Sequence, residues 1–233
     1  MKLYVNGCSF THGHKDFIDS ASPDWVWPNV IAENFEEVVN DAWLGGSNQR
    51  LVRKTLEFFD KRKDGDDWLA IIQWTDPFSR MELYDDETST YFGYVPNSPN
   101  PVLYYPDHNK FITIPNRLFR MIAIYEKSML ARSKHILKQA FVQQQFLLSE
   151  YLKVKKIKFL YTSMSSFGTV HPEYMHPLTK YLPFQNTIAS FSSFVNPNTP
   201  NLIESETDFH PNKAGHKLLA NYIINELKAR NYL

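Results

Sequence analysis

Apolar runs that end in polar or glycine turns set the rhythm of this chain. Leu3, Tyr4 and Val5 form a short run closed by Gly7, and residues 37–40, with Val38 and Val39 at their centre, form a second. The third, Trp68-Leu69-Ala70-Ile71-Ile72-Gln73-Trp74, is almost continuously apolar, as a parallel strand buried on both faces must be. A fourth covers residues 157–162. Between these runs the period changes from two to 3.6. Trp27, Val30 and Ile31 share one face of a predicted helix over residues 23–32. Leu51, Val52, Thr55, Leu56 and Phe59 make the stripe of a helix that Ser47 is suited to cap. A long helix is predicted over about residues 120–153, and a last one follows Asn212, carrying Leu218, Leu219, Tyr222, Ile223 and Leu227. Strands alternating with helices predict an α/β fold with a mainly parallel, doubly wound sheet.

Two stretches break the alternation. Residues from about 85 to 118 are rich in Tyr, Pro and Asn without a clear period, and read as an aromatic-rich insertion: a lid, or a segment that merely packs on the domain. Residues 163–207 also lack a pattern beyond a helical turn near Ile188. No repeat, heptad run or linker divides the chain, so residues 1–233 are expected to form a single domain.

In open α/β sheets, ligands sit beyond the carboxyl ends of the strands. Ser9 follows the first strand there, two residues past Gly7. A serine hydroxyl needs a base to become a nucleophile, and the base needs an orienting group. Asp208-Phe209-His210-Pro211 supplies both: in an extended segment Asp208 and His210 leave the same side, and Pro211 keeps the helix from starting earlier. An ester hydrolase also needs donors for an oxyanion. Candidates are the N–H groups of Ser9 and Gly45 and a group in the turn after the third strand, around Thr75.

These segments resemble the SGNH (GDSL-like) hydrolase family. Gly7-Cys8-Ser9-Phe10-Thr11 is similar to the family's first block, with Ser9 in the nucleophile position. The stretch from Asn40 to Ser47 is similar to its second, with Gly45 as oxyanion donor. Asp208 to His216 is similar to its last, with His210 as base and Asp208 as partner. The resemblance implies a flavodoxin-like three-layer α/β/α sandwich and a serine esterase of the Ser-His-Asp type. It implies no metal and no cofactor. Two departures stand out. The family's Gly-x-Asn-Asp block is replaced by Gln73-Trp74-Thr75-Asp76, so either the Thr75 hydroxyl substitutes for the Asn or the oxyanion hole is incomplete. One residue, rather than the common two, separates the acid from the histidine.

Composition narrows the partners. Lys+Arg and Asp+Glu both number 25, a zero net charge that gives no support to nucleic acid or an anionic membrane as partner. The single cysteine, Cys8, excludes an internal disulfide and fits a reducing compartment; without a visible signal peptide, a cytoplasmic location is expected. Cys8 reads as a small buried residue facing away from Ser9. His12 and His14 lack a recognised metal-ligand spacing, Asp76 and Arg80 suit a salt bridge, and His216 suits a surface or packing role. No Gly-x-Gly-x-x-Gly follows the first strand, and His14 stands where a phosphate loop needs Lys. Aromatic residues are 15% of the chain, a content that cores and carbohydrate-binding surfaces share; it is the aromatic-rich insertion that tilts the reading, among the family's substrates, toward an O-acetyl ester on a carbohydrate. The alternative is a binding or structural protein that keeps the fold with little turnover and recognises a glycan or protein partner.

Overall fold

The computed structural model describes residues 1–13, 22–62, 67–76, 81–85, 90–94, 103–105, 110–112, 134–164, 181–205 and 207–233. In chain order they form β1 (Lys2–Asn6), α1 (Ser9–His12), α2 (Trp27–Ile31), β2 (Val38–Asn40), α3 (Asn48–Asp60) and β3 (Trp68–Trp74). Four short strands follow, β4 (Met81–Asp85), β5 (Thr90–Tyr94), β6 (Leu103–Tyr105) and β7 (Lys110–Ile112). The chain continues with α4 (Lys134–Val154), β8 (Lys158–Ser163), β9 (Ile203–Ser205), β10 (Asp208–Pro211) and α5 (Lys213–Ala229).

The central sheet has the order β2-β1-β3-β8 and is parallel throughout, with Leu3 opposite Leu69 and Ile71 opposite Leu160. Strand alternation sends its side chains to two cores. Leu3, Val5, Leu69, Ile71 and Leu160 pack under Trp27 and Ile31 of α2 and Leu219, Ile223 and Leu227 of α5. Tyr4, Ala70, Ile72, Trp74, Phe159 and Tyr161 pack on the other face against Leu51, Phe58 and Phe59 of α3 and Phe141, Leu148 and Leu152 of α4. This is the three-layer α/β/α sandwich with a mainly parallel sheet. All seven residues of β3 are buried, and each large apolar side chain removed from water contributes roughly 1.5–3 kcal/mol.

The predicted caps are in place. Ser47 Oγ accepts the Arg50 N–H at 3.2 Å, and Asn212 Oδ1 accepts the Gly215 N–H at 3.0 Å. Each cap stabilises its helix by about 1 kcal/mol. The first predicted helix starts at Trp27, four residues later than expected, because Pro28 fits only a first turn, where its missing N–H costs nothing. The predicted onset of α4 near residue 120 lies outside the described residues.

The aromatic-rich insertion departs from expectation. It is not irregular: β4 to β7 form a four-stranded antiparallel sheet in sequential order. Strands of three to five residues leave too short a period to read. Arg53 of α3 anchors it, donating from Nε and Nη2 to Glu82 at 3.0 and 2.6 Å. In the stretch before α5, the described residues from 181 onward form 3-10 turns and an antiparallel β9-β10 pair with an irregular register.

Candidate active site

The first turn is shaped around Gly7. A Cβ there would lie 2.7 Å from Gln73 Oε1 and 2.8 Å from Thr11 Oγ1, closer than real side chains approach. The chain then enters the single helical turn of α1, with Ser9 as its first residue and 4% exposed. From the far end of the chain, β10 extends Asp208 and His210 toward it. Ser9 Oγ–H donates to His210 Nε2 at 2.7 Å, and His210 Nδ1–H donates to Asp208 Oδ1 at 2.5 Å. The same carboxylate oxygen accepts the His210 backbone N–H at 3.2 Å, so the two-residue spacing closes on itself. Phe10 packs its ring 5.3 Å from the His210 imidazole and supports it from the side.

The second turn is held on the first. Trp43 N–H donates to Gly7 O at 3.0 Å, which sets residues 43–46 beside the Ser9 turn. Gly45 has φ +68°, in the left-handed region that favours glycine. Beneath it, Arg50 is 6% exposed; it donates from Nη1 to Asp41 O at 2.9 Å and lies 5.5 Å from the Trp43 ring. Burial, and then the Arg50 charge, hold His12 below its ordinary pKa, which favours the neutral ring that packs 5.5 Å from Trp43.

After β3, Thr75 is 1% exposed and pinned on both sides by Asn48: its N–H donates to Asn48 Oδ1 at 2.9 Å and its carbonyl accepts from Asn48 Nδ2 at 3.0 Å. The Thr75 N–H is therefore occupied, while its Oγ1 is buried with no hydrogen-bond partner among the described residues. Cys8 is fully buried, with Sγ 3.3 Å from Gln73 Oε1 and 3.9 Å from Met164 Sδ. His216 is also buried, against Trp25 and under the Trp27 N–H, which donates to its Nδ1 at 3.4 Å; of the surface and packing roles, it has the packing one. Burial, with a smaller contribution from His210, lowers its pKa to about 3. His14 and Arg80 lie outside the described residues. Among the described residues, no group of three or more His, Cys, Asp or Glu stands together as a metal site would require. No described helix is long and apolar enough to cross a membrane.

The sequence assigns no separate role to three residues of this site. Asn48 follows the Ser47 cap and Phe10 follows Ser9 without any pattern that marks them. Gln73 carried a usable signal: it is the one polar residue in an otherwise apolar strand, and a buried amide must find partners.

The fold is shared with solved structures of low sequence identity. Over 100% of this chain and 99% of the other, it superposes on the psychrotrophic esterase EstA from Pseudoalteromonas sp., in a structure inhibited by monoethylphosphonate, with a TM-score of 0.52 at 10% identity. TesA gives a TM-score of 0.53 at 13% identity, covering 98% of this chain and 99% of that one. By sequence, the chain belongs to the family of unknown function DUF6071, which matches residues 12–175. That match includes Gly45 and Thr75 but neither Ser9 nor His210. No curated protein matches the chain.

Proposed function

We propose that the whole chain acts as one domain, a serine hydrolase that cleaves a carboxylic ester. The observation that carries this reading is the continuous relay from Ser9 Oγ through both ring nitrogens of His210 to Asp208. His210 Nε2 takes the hydroxyl proton as Ser9 Oγ attacks the ester carbonyl. Asp208 keeps the other nitrogen protonated and stabilises the imidazolium. The oxyanion is received by the N–H of Ser9, at the opening of a helical turn where no intrahelical acceptor exists, by the N–H of Gly45, and by the Thr75 hydroxyl. The imidazolium proton passes to the departing alkoxide, leaving acyl-Ser9. Water, deprotonated by His210, then releases the acid and restores the hydroxyl.

The orphaned Thr75 Oγ1 supports the substitution for the family's Asn. The aromatic-rich insertion is the reason for choosing an O-acetyl group on a carbohydrate as substrate class, in a cytoplasmic setting. Its aromatic side chains lie outside the described residues.

A fluorophosphonate probe tests the reading. Mass spectrometry is expected to find the adduct on Ser9 and none in His210→Ala. Absence of labelling in the folded wild-type chain, together with tight binding of a glycan, would favour the non-catalytic alternative that the altered third block motivates.

A further inference from the structure

A glutamine amide inside an apolar strand is costly unless both its ends are bonded. Gln73 is fully buried at the penultimate position of β3. Its Oε1 accepts from the Cys8 N–H at 3.1 Å, from the Thr11 hydroxyl at 3.0 Å and from the Cys8 thiol at 3.3 Å. Its Nε2 donates to Trp74 O at 2.9 Å. Turned over, the amide would aim its own N–H groups at the Cys8 N–H, so the chemistry admits one orientation.

Every donor on Oε1 comes from the turn that carries Ser9: Cys8 lies directly before it and Thr11 two residues after. Apart from core packing of Cys8 and Phe10, the Trp43 N–H on Gly7 O and the Ser9–His210 bond, the helical turn itself is weak. α1 is four residues long, and its N-cap, Cys8, makes no side-chain cap bond. A single helical turn is unstable without outside support. Ser9 must nonetheless be placed to a fraction of an ångström to meet His210 Nε2. We infer that Gln73 is a positioning residue that latches the Ser9 turn to the carboxyl end of the central strand, so that the hydroxyl is presented to His210 before substrate arrives. The inference rests on the hydrolase reading for its catalytic consequence, but the latch itself is independent of it. It also removes the Cys8 N–H from the set of oxyanion donors.

Gln73→Met keeps the volume and removes all four bonds of the amide. The rate of Ser9 labelling by the fluorophosphonate is expected to fall on the order of 10²-fold, the effect of about 1 Å of misplacement. The loss should appear in the bond-forming rate and not in probe affinity. Hydrogen exchange at the Cys8 amide should lose its protection, while the low-field proton resonance of the Asp208–His210 pair persists. Gln73→Glu keeps the acceptor and should recover part of the rate. Thr11→Val should slow labelling in the wild-type background and add little to Gln73→Met. A folded Gln73→Met protein with wild-type labelling and a protected Cys8 amide overturns the inference. If that variant does not fold, unchanged labelling and exchange in Thr11→Val do the same. If the wild type is not labelled at all, the hydrolase reading fails by itself, and Cys8 exchange in Gln73→Met still decides the latch.

Discussion

The burial of His216 makes stability depend on pH in a way that can be worked through. Its ordinary pKa of 6.5 falls to about 3 in the fold. The side chain is 1% exposed and its Nδ1 accepts the Trp27 N–H, so protonation would set two N–H groups against each other in a dry site. The unfolded chain therefore binds a proton that the folded chain refuses. The stability this group contributes is fully present above pH 6.5 and is lost progressively as pH falls toward 3. At pH 5 the loss is about 2 kcal/mol, from 1.5 pH units at about 1.36 kcal/mol each. Urea unfolding from pH 7 to pH 5 measures it directly, with His216→Asn as reference. The variant is less stable at pH 7 because it leaves space beside Trp25, but its curve should be flatter by that 2 kcal/mol. His12, Glu57 and Asp67, whose lowered pKa values work in the same direction, are common to both proteins and drop out of the difference. Parallel curves would refute the reasoning. In the proposed reaction the neutral ring also has a use, since it puts no second positive charge behind His210 when that residue carries the hydroxyl proton.

Other outcomes are expected on the same grounds. Asp208→Asn should slow Ser9 labelling on the order of 10³- to 10⁴-fold while leaving unfolding by urea nearly unchanged, because the amide favours the wrong imidazole tautomer. Gly7→Ala should cost about 2–3 kcal/mol in urea unfolding, since Gln73 and Thr11 leave no room for a methyl group. Arg53→Met should cost about 3 kcal/mol or more, because it strands the Glu82 carboxylate, whose side chain is 3% exposed. The double variant Arg53→Met, Glu82→Met should recover much of that loss in the same assay.

The elements that could be read in advance are those whose signal is local. β3 announces itself by seven consecutive buried residues, and α3 and α5 by a capping side chain followed by an apolar stripe. Asp208 and His210 sharing one side of the chain follows from strand alternation alone. What escaped reading depends on distant partners or on segments shorter than one period. α1 is a single turn, too brief for a helical pattern to repeat. The β4–β7 sheet is held by pairing between short strands whose residues show no alternation. Gln73 is conspicuous as a polar intruder, yet its partners stand 62 and 65 residues away, and no spacing rule connects them. The brace of Asn48 on Thr75 is hidden for the same reason.

The β3–β8 pairing is also a seam between the amino- and carboxyl-terminal halves of the chain. Six register pairs, from Leu69 with Lys158 to Trp74 with Ser163, join a half that carries the hydroxyl to a half that carries the imidazole and its carboxylate. A polypeptide cut between β5 and β6 would yield two fragments, neither able to react with an ester by this route. On the proposed reading, the mixed fragments would regain reactivity only when that seam, together with the packing of α2 on α5, re-formed, so Ser9 labelling would gauge fragment reassembly.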